Sequence, residues 1–123
     1  MTEAIFTTVL TVAVPVSDQD RAKGLLEGLG LKTSFDRELR PGFRWVELTL
    51  AGGGPTLSLV QASSELPAGI DTGIRLGTPD ARAARAFLIE LGLQVGDLLE
   101  WETAPPMFEF SDPDGNRFYV TQL

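Results

Sequence analysis

Apolar residues fall on every second position in several short runs of this chain. Val12, Val14 and Val16 alternate with Thr11, Ala13 and Pro15, which predicts a strand whose apolar face lies on the even positions. Ser17 or Asp18 can cap a helix that follows, with acidic residues in its first turn, and Gly28 and Gly30 end it. Leu31–Phe35 reads as a second strand and Asp36–Gly42 as a polar connection. Phe43–Leu50 is a third strand, with Val46, Leu48 and Leu50 on one face and Phe43, Trp45 and Glu47 on the other. Gly52-Gly53-Gly54-Pro55 is a turn, and Thr56–Gln61 a fourth strand with Leu57 and Leu59 opposite Ser58 and Val60.

After a linker-like stretch, about 63–69, the pattern starts again. Ile70–Gly77 predicts a strand, Pro79–Leu91 a helix capped by Thr78, and Leu93–Val95 the opening of another strand. Asp97–Pro105 has no clear period and is read as an irregular strand around Trp101. Met107–Phe110 and Arg117–Gln122 are strands, joined by the tight turn Asp112-Pro113-Asp114-Gly115-Asn116. A shift of about 62 residues superposes Asp18 on Asp80, Ala22 on Ala84, Leu26 on Leu88 and Glu47 on Glu109. It also sets Leu29-Gly30-Leu31 on Leu91-Gly92-Leu93. The expected architecture is α+β: two tandem βαβββ modules, about 5–62 and about 70–123, in one domain spanning 1–123. A sheet covered by one helix leaves its other face open, and two such faces together would form an open barrel-like cleft.

Composition narrows the chemistry. The chain has 123 residues, enough for a core without disulfides or a structural metal. It contains neither Cys nor His. That excludes thiolate metal sites, cysteine nucleophiles and Ser-His-Asp machinery built from this chain alone. A formal charge of −7 opposes nucleic-acid binding and favours cationic small molecules. No run is long and apolar enough to span a membrane. Met1–Ala4 carries Glu3 and no basic residue, unlike the start of a signal peptide, and the expected location is cytoplasmic.

Three passages carry a family resemblance: Val14-Pro15-Val16-Ser17-Asp18-Gln19-Asp20-Arg21-Ala22, Gly42-Phe43-Arg44-Trp45-Val46-Glu47-Leu48 and Asp112-Pro113-Asp114-Gly115-Asn116. With the duplicated module, the chain resembles the vicinal-oxygen-chelate superfamily. That group holds glyoxalase I, bleomycin-resistance proteins, extradiol dioxygenases and fosfomycin-resistance enzymes. The resemblance covers essentially the whole chain. It implies a divalent metal held by first- and fourth-strand residues of each module, usually His, Glu or Gln. Those positions correspond here to Thr11, Ser58, Gly73 (or Asp71, if the register slips by two) and Tyr119. None is an ordinary ligand for a first-row ion, so no metal and no cofactor is expected.

The resemblance and the strand faces together set the expected site. Thr11, Trp45, Glu47, Ser58, Arg75, Trp101, Met107, Glu109 and Tyr119 are the ligand-binding candidates, with Ala13, Val60 and Thr121 beside them. Aromatic surface with a few charges is how small-molecule pockets are built. Glu47 and Glu109 are repeat mates. They are read either as a carboxylate pair with one raised pKa or as groups neutralised by Arg44, Arg75 or Arg117. The functional expectation is a metal-free, homodimeric small-molecule-binding protein resembling the bleomycin-resistance branch, with a cationic or aromatic ligand. The alternatives are a metal-independent lyase, isomerase or cyclase, with Glu47, Glu109 and Tyr119 as catalytic candidates, and a non-catalytic dimerisation module.

Overall fold

A computed structural model describes residues 3–123. The chain divides into two compact units, Met1–Pro67 and Ala68–Leu123. The first contains β1 (Thr11–Val16), α1 (Gln19–Gly28), β2 (Lys32–Arg40), β3 (Phe43–Thr49) and β4 (Thr56–Gln61). The second contains β5 (Asp71–Thr78), α2 (Ala81–Glu90), β6 (Gln94–Val95), β7 (Met107–Ser111) and β8 (Arg117–Gln122). Each unit is therefore a βαβββ module, and the fold is α+β. The strand orders are β1-β4-β3-β2 and β5-β8-β7-β6, the same topology twice, in two open sheets. In each, the first strand runs parallel to the last and the remaining pairs are antiparallel.

The period-2 pattern explains each core. In the first unit Val14, Val16, Val46, Leu48, Leu57 and Leu59 are buried with Leu26 of α1. In the second, Phe108, Phe110, Phe118 and Val120 are buried with Ala81 and Leu88 of α2. The Phe110 and Phe118 rings stack at 5.3 Å. Asp18 caps α1 by accepting from the Arg21 amide, and Asp80 caps α2 by accepting from the Ala83 amide. Buried Gln19 clamps α1 to its sheet, donating to the carbonyls of Arg44 and Leu59 at 3.0 and 2.9 Å.

Three expectations need correction. Asp36–Gly42 is not a connection, because β2 continues to Arg40 and only Pro41-Gly42 turns the hairpin. The polar residues there lie on an edge strand, and Asp36 is held by Arg44 and Lys23. Thr78 does not cap the second helix. It belongs to β5, and the Asp80 carboxylate takes the capping role, so the helix begins at Ala81 rather than Pro79. The Asp97–Pro105 segment forms no strand; its ladder contact is a bridge between Leu99 and Met107. Among the described residues no helix is long and apolar enough to cross a membrane.

Candidate functional site

In the first unit the alternate strand positions, those opposite the buried Val and Leu residues, bring four of the expected residues together. Parallel pairing sets Thr11 beside Thr56 and Ala13 beside Ser58, while β3 sets Glu47 beside Ser58. The Thr56 hydroxyl lies 2.7 Å from Glu47 Oε1 and 2.7 Å from Thr11 Oγ1. Thr11 Oγ1 is also hydrogen-bonded to Ser58 Oγ, and it reaches the Thr56 carbonyl at 3.1 Å. Trp45 Nε1 donates to Glu47 Oε2 at 2.7 Å.

The donors fix the state of Glu47. Hydrogen bonds from Thr56 and Trp45 hold its carboxyl below the usual range, outweighing partial desolvation. Glu47 is thus not the member of a carboxylate pair with a raised pKa. Arg44 does not neutralise it either, since that guanidinium binds Asp36 and Asp20 at 2.8 Å. A carboxylate only accepts, so a Thr56 proton directed to Glu47 leaves the Thr56 and Thr11 hydroxyls sharing the remaining protons of the Thr11–Ser58 pair. Thr56 was missed in the sequence. Its signal was the parallel register with Thr11, which only the pairing reveals.

In the second unit a pocket of about 430 Å³ is lined by residues of β5, β7 and β8 and of the segment after β6. Leu99, Met107 and Phe108 supply apolar walls. Arg75, Asp97, Glu109, Tyr119 and Thr121 supply the polar groups. Arg75 lies with its guanidinium carbon 4.1 Å from the Tyr119 ring centroid, a cation–π contact. The Tyr119 hydroxyl donates to Asp71 Oδ2 at 2.6 Å. That bond, with one from the Gly73 amide, holds the Asp71 carboxyl below its ordinary value. Glu109 has Arg117 Nε at 3.8 Å, and each side chain is about half exposed (47% and 48%), so the pair is weak. Trp101 is exposed and lies outside the pocket lining. Asp71, Asp97 and Leu99 were not on the sequence-derived list. Asp71 arises there only as an alternative register, and the other two sit in the segment without a clear period.

The four metal-ligand positions of the resemblance can be tested by their chemistry. Thr11 and Ser58 are neutral hydroxyls bonded to each other. Gly73 has no side chain, and the Tyr119 hydroxyl is spent on Asp71. This donor set does not fit a divalent first-row ion.

No family model matches the chain, and no curated protein does. Solved structures match it over nearly its whole length. A member of the glyoxalase/bleomycin resistance protein/dioxygenase superfamily from Sphaerobacter thermophilus DSM 20745 is 28% identical, with a TM-score of 0.86 over 98% of this chain and 100% of that one. An antibiotic binding protein from Streptomyces sp. CB03234 is 32% identical, with a TM-score of 0.84 over 98% of each chain. A glyoxalase/bleomycin resistance protein from the same organism is 33% identical, with a TM-score of 0.77 over 94% of this chain and 100% of that one.

Proposed function

The chain belongs to the glyoxalase/bleomycin resistance protein/dioxygenase superfamily, and from that premise we propose that it is a metal-free small-molecule-binding protein of the bleomycin-resistance kind. One observation carries the reading: the pocket of about 430 Å³, walled by Leu99, Met107 and Phe108 and edged by a few polar groups. Its size and its mix of surfaces suit a drug-sized molecule. The antibiotic-binding neighbour supports the same reading. The poor donor chemistry at Thr11, Ser58, Gly73 and Tyr119 supports a site that works without metal. The Tyr119 ring offers a face for an aromatic ligand, and the formal charge of −7 favours cations at long range. Trp45, Glu47 and Thr11 are the ligand-facing candidates of the first unit, and Ser58, which has no exposed surface, joins them only through its hydrogen bond to Thr11. The protein is expected to act as a homodimer. Ile5, Phe6, Val9 and Leu10, all exposed ahead of β1, offer apolar surface of the kind a second copy covers.

The test is a screen of neutral and cationic aromatic compounds by calorimetry, with and without prior dialysis against a chelator. Saturable binding that chelation leaves unchanged, and that Met107→Trp abolishes by filling the pocket, is the expected result. A stoichiometric metal required for binding overturns the metal-free part. The absence of any saturable ligand overturns the function itself.

A further inference from the structure

The charges around this pocket specify the ligand more closely than its apolar walls do. Arg75 forms no ion pair among the described residues. Of its five N–H donors, one is used, from Nη1 to the Gly73 carbonyl at 2.9 Å. Asp71 feels its charge, but both Asp71 oxygens are taken, Oδ1 by the Gly73 amide and Oδ2 by the Tyr119 hydroxyl. Asp97 forms no ion pair among the described residues, and Glu109 has only the long contact to Arg117.

Arg75 is held in place by a break in the repeat. Asp71 pairs with Arg117 and Arg75 with Tyr119, so three residues of β5 face one of β8. β1 pairs with β4 with no such shift. Gly73 makes the bulge possible with φ of +69°, a conformation other residues rarely adopt. Side chains lock it. Asp71 accepts from the Gly73 amide, and Thr72 accepts from the Ile74 amide while donating to the Arg117 carbonyl at 2.6 Å. The bulge presents the Gly73 carbonyl to Arg75, and the Tyr119 ring supports one guanidinium face. The cation is therefore oriented before any ligand arrives.

Resting on the proposed small-molecule function, we infer that this pocket is built for an amphoteric ligand. Such a ligand sets a carboxylate on Arg75 and a protonated amine on Asp97 and Glu109, with its apolar body against Leu99, Met107 and Phe108. A purely cationic ligand meets Arg75 as a like charge. A purely anionic one meets Asp97, Glu109 and the acidic field of the whole chain. Each arm of the pocket thus rejects what the other attracts.

The probes are 2-naphthylalanine (zwitterion), its methyl ester (cation), its N-acetyl derivative (anion) and the N-acetyl amide (neutral). Binding is followed by calorimetry at neutral pH and mapped by the Met107 methyl NMR signal. The zwitterion is expected to bind about tenfold or more tightly than each of the other three, one charge-assisted contact being lost in each singly charged form. Arg75→Gln removes its advantage over the ester, and Arg75→Lys restores part of it. Asp97→Asn with Glu109→Gln removes its advantage over the N-acetyl form. Thermal melts confirm that each variant folds, and the Arg75→Lys comparison decides the matter if Arg75→Gln does not. Four forms binding within about twofold of one another, or the ester binding tightest, overturns amphoteric selection and leaves the small-molecule function standing. Failure of all four to move the Met107 signal overturns the inference, and the screen for other aromatics then decides the function separately.

Discussion

Replacing Asn116 by Ala removes a buried side chain that ties a turn to the start of a strand. Asn116 has no exposed surface. Its Oδ1 accepts from the amides of Gly69 and Ile70 at 2.8 and 3.1 Å, and its Nδ2 donates to Asp112 Oδ2 at 3.0 Å. The Asp112 carboxylate in turn accepts from the amides of Asp114 and Asn116, both at 2.9 Å. The turn and the entry to β5 lie so close that a Cβ on Gly69 would sit 3.2 Å from the Asp114 carbonyl oxygen. A buried donor left without a partner costs ~1–3 kcal/mol. Gly69 is an exposed residue, so water can replace its lost partner, whereas Ile70 is half-buried and Asp112 loses a donor. Asn116→Ala is therefore expected to destabilise by about 2–4 kcal/mol, read as a lower urea midpoint at unchanged slope.

Asn116→Asp separates the two halves of this bond set. It keeps an acceptor for Gly69 and Ile70 but faces Asp112 with a second carboxylate. Burial already holds the Asp112 carboxyl above its ordinary value, with Asn116 opposing that shift. A carboxyl whose folded pKa is raised adds stability below its unfolded value and loses it as pH rises through the folded one. Asn116→Asp should thus be strongly destabilised at pH 7 and recover as the pH falls through that raised window. If Asn116→Ala lies within about 0.5 kcal/mol of the parent, or Asn116→Asp gains nothing on acidification, the turn does not secure β5 as described.

Other outcomes follow from the same accounting of partners. Arg44 and Lys23 hold the Asp36 carboxyl far below its ordinary value, so its stabilisation is present above the unfolded pKa and lost as pH falls toward the folded one. Asp36→Asn should flatten that acid limb, and an identical pH–stability slope would refute the network. Trp45→Phe deletes one of two donors to Glu47, so the Glu47 carboxyl signal in NMR should titrate at higher pH than in the parent; no shift would refute the contact. Gly69→Ala should cost roughly 1–3 kcal/mol, because φ is +84° and the blocking atom is backbone. Gly77→Ala should cost less, because the Cβ meets only the flexible, exposed side chain of Leu123. Melting temperatures of the two variants in reverse order would contradict this packing.

The skeleton was legible because its signals are local. Alternation marked the strand faces at Val14, Val46, Leu57 and Phe118, and the repeated Asp18 and Asp80 marked the helix starts. Asp36–Arg40 was illegible for a physical reason. A polar segment on a sheet edge has no apolar face to declare it, and its ladder partners Phe43–Val46 are recognisable only once the hairpin is closed. Thr11, Glu47, Ser58 and Tyr119 could be assigned to the alternate faces by counting along strands. Their hydrogen-bond partners could not, because Thr56 reaches Thr11 through a parallel pairing 45 residues apart.

The duplication makes the remaining gap instructive. A shift by repeat length carries Gln19 onto Ala81 and Leu26 onto Leu88, and in both units that pair is the buried seam of the helix. It fails where the chemistry differs. Thr11 stands in an unbroken ladder and joins a hydroxyl chain that ends on Glu47. The corresponding stretch of β5 loops out at Gly73 and hands its position to Arg75 and Asp71. One unit thereby presents donors around a carboxylate, and the other an oriented guanidinium beside an apolar pocket. Two modules with one topology have diverged at the first strand, where a single bulge changes which side chain reaches the pocket. A β5 shortened to the unbroken register of β1 is expected to lose the Gly73 contact that holds Arg75, whereas Phe108, Phe110 and Phe118 belong to β7 and β8 and keep their own core.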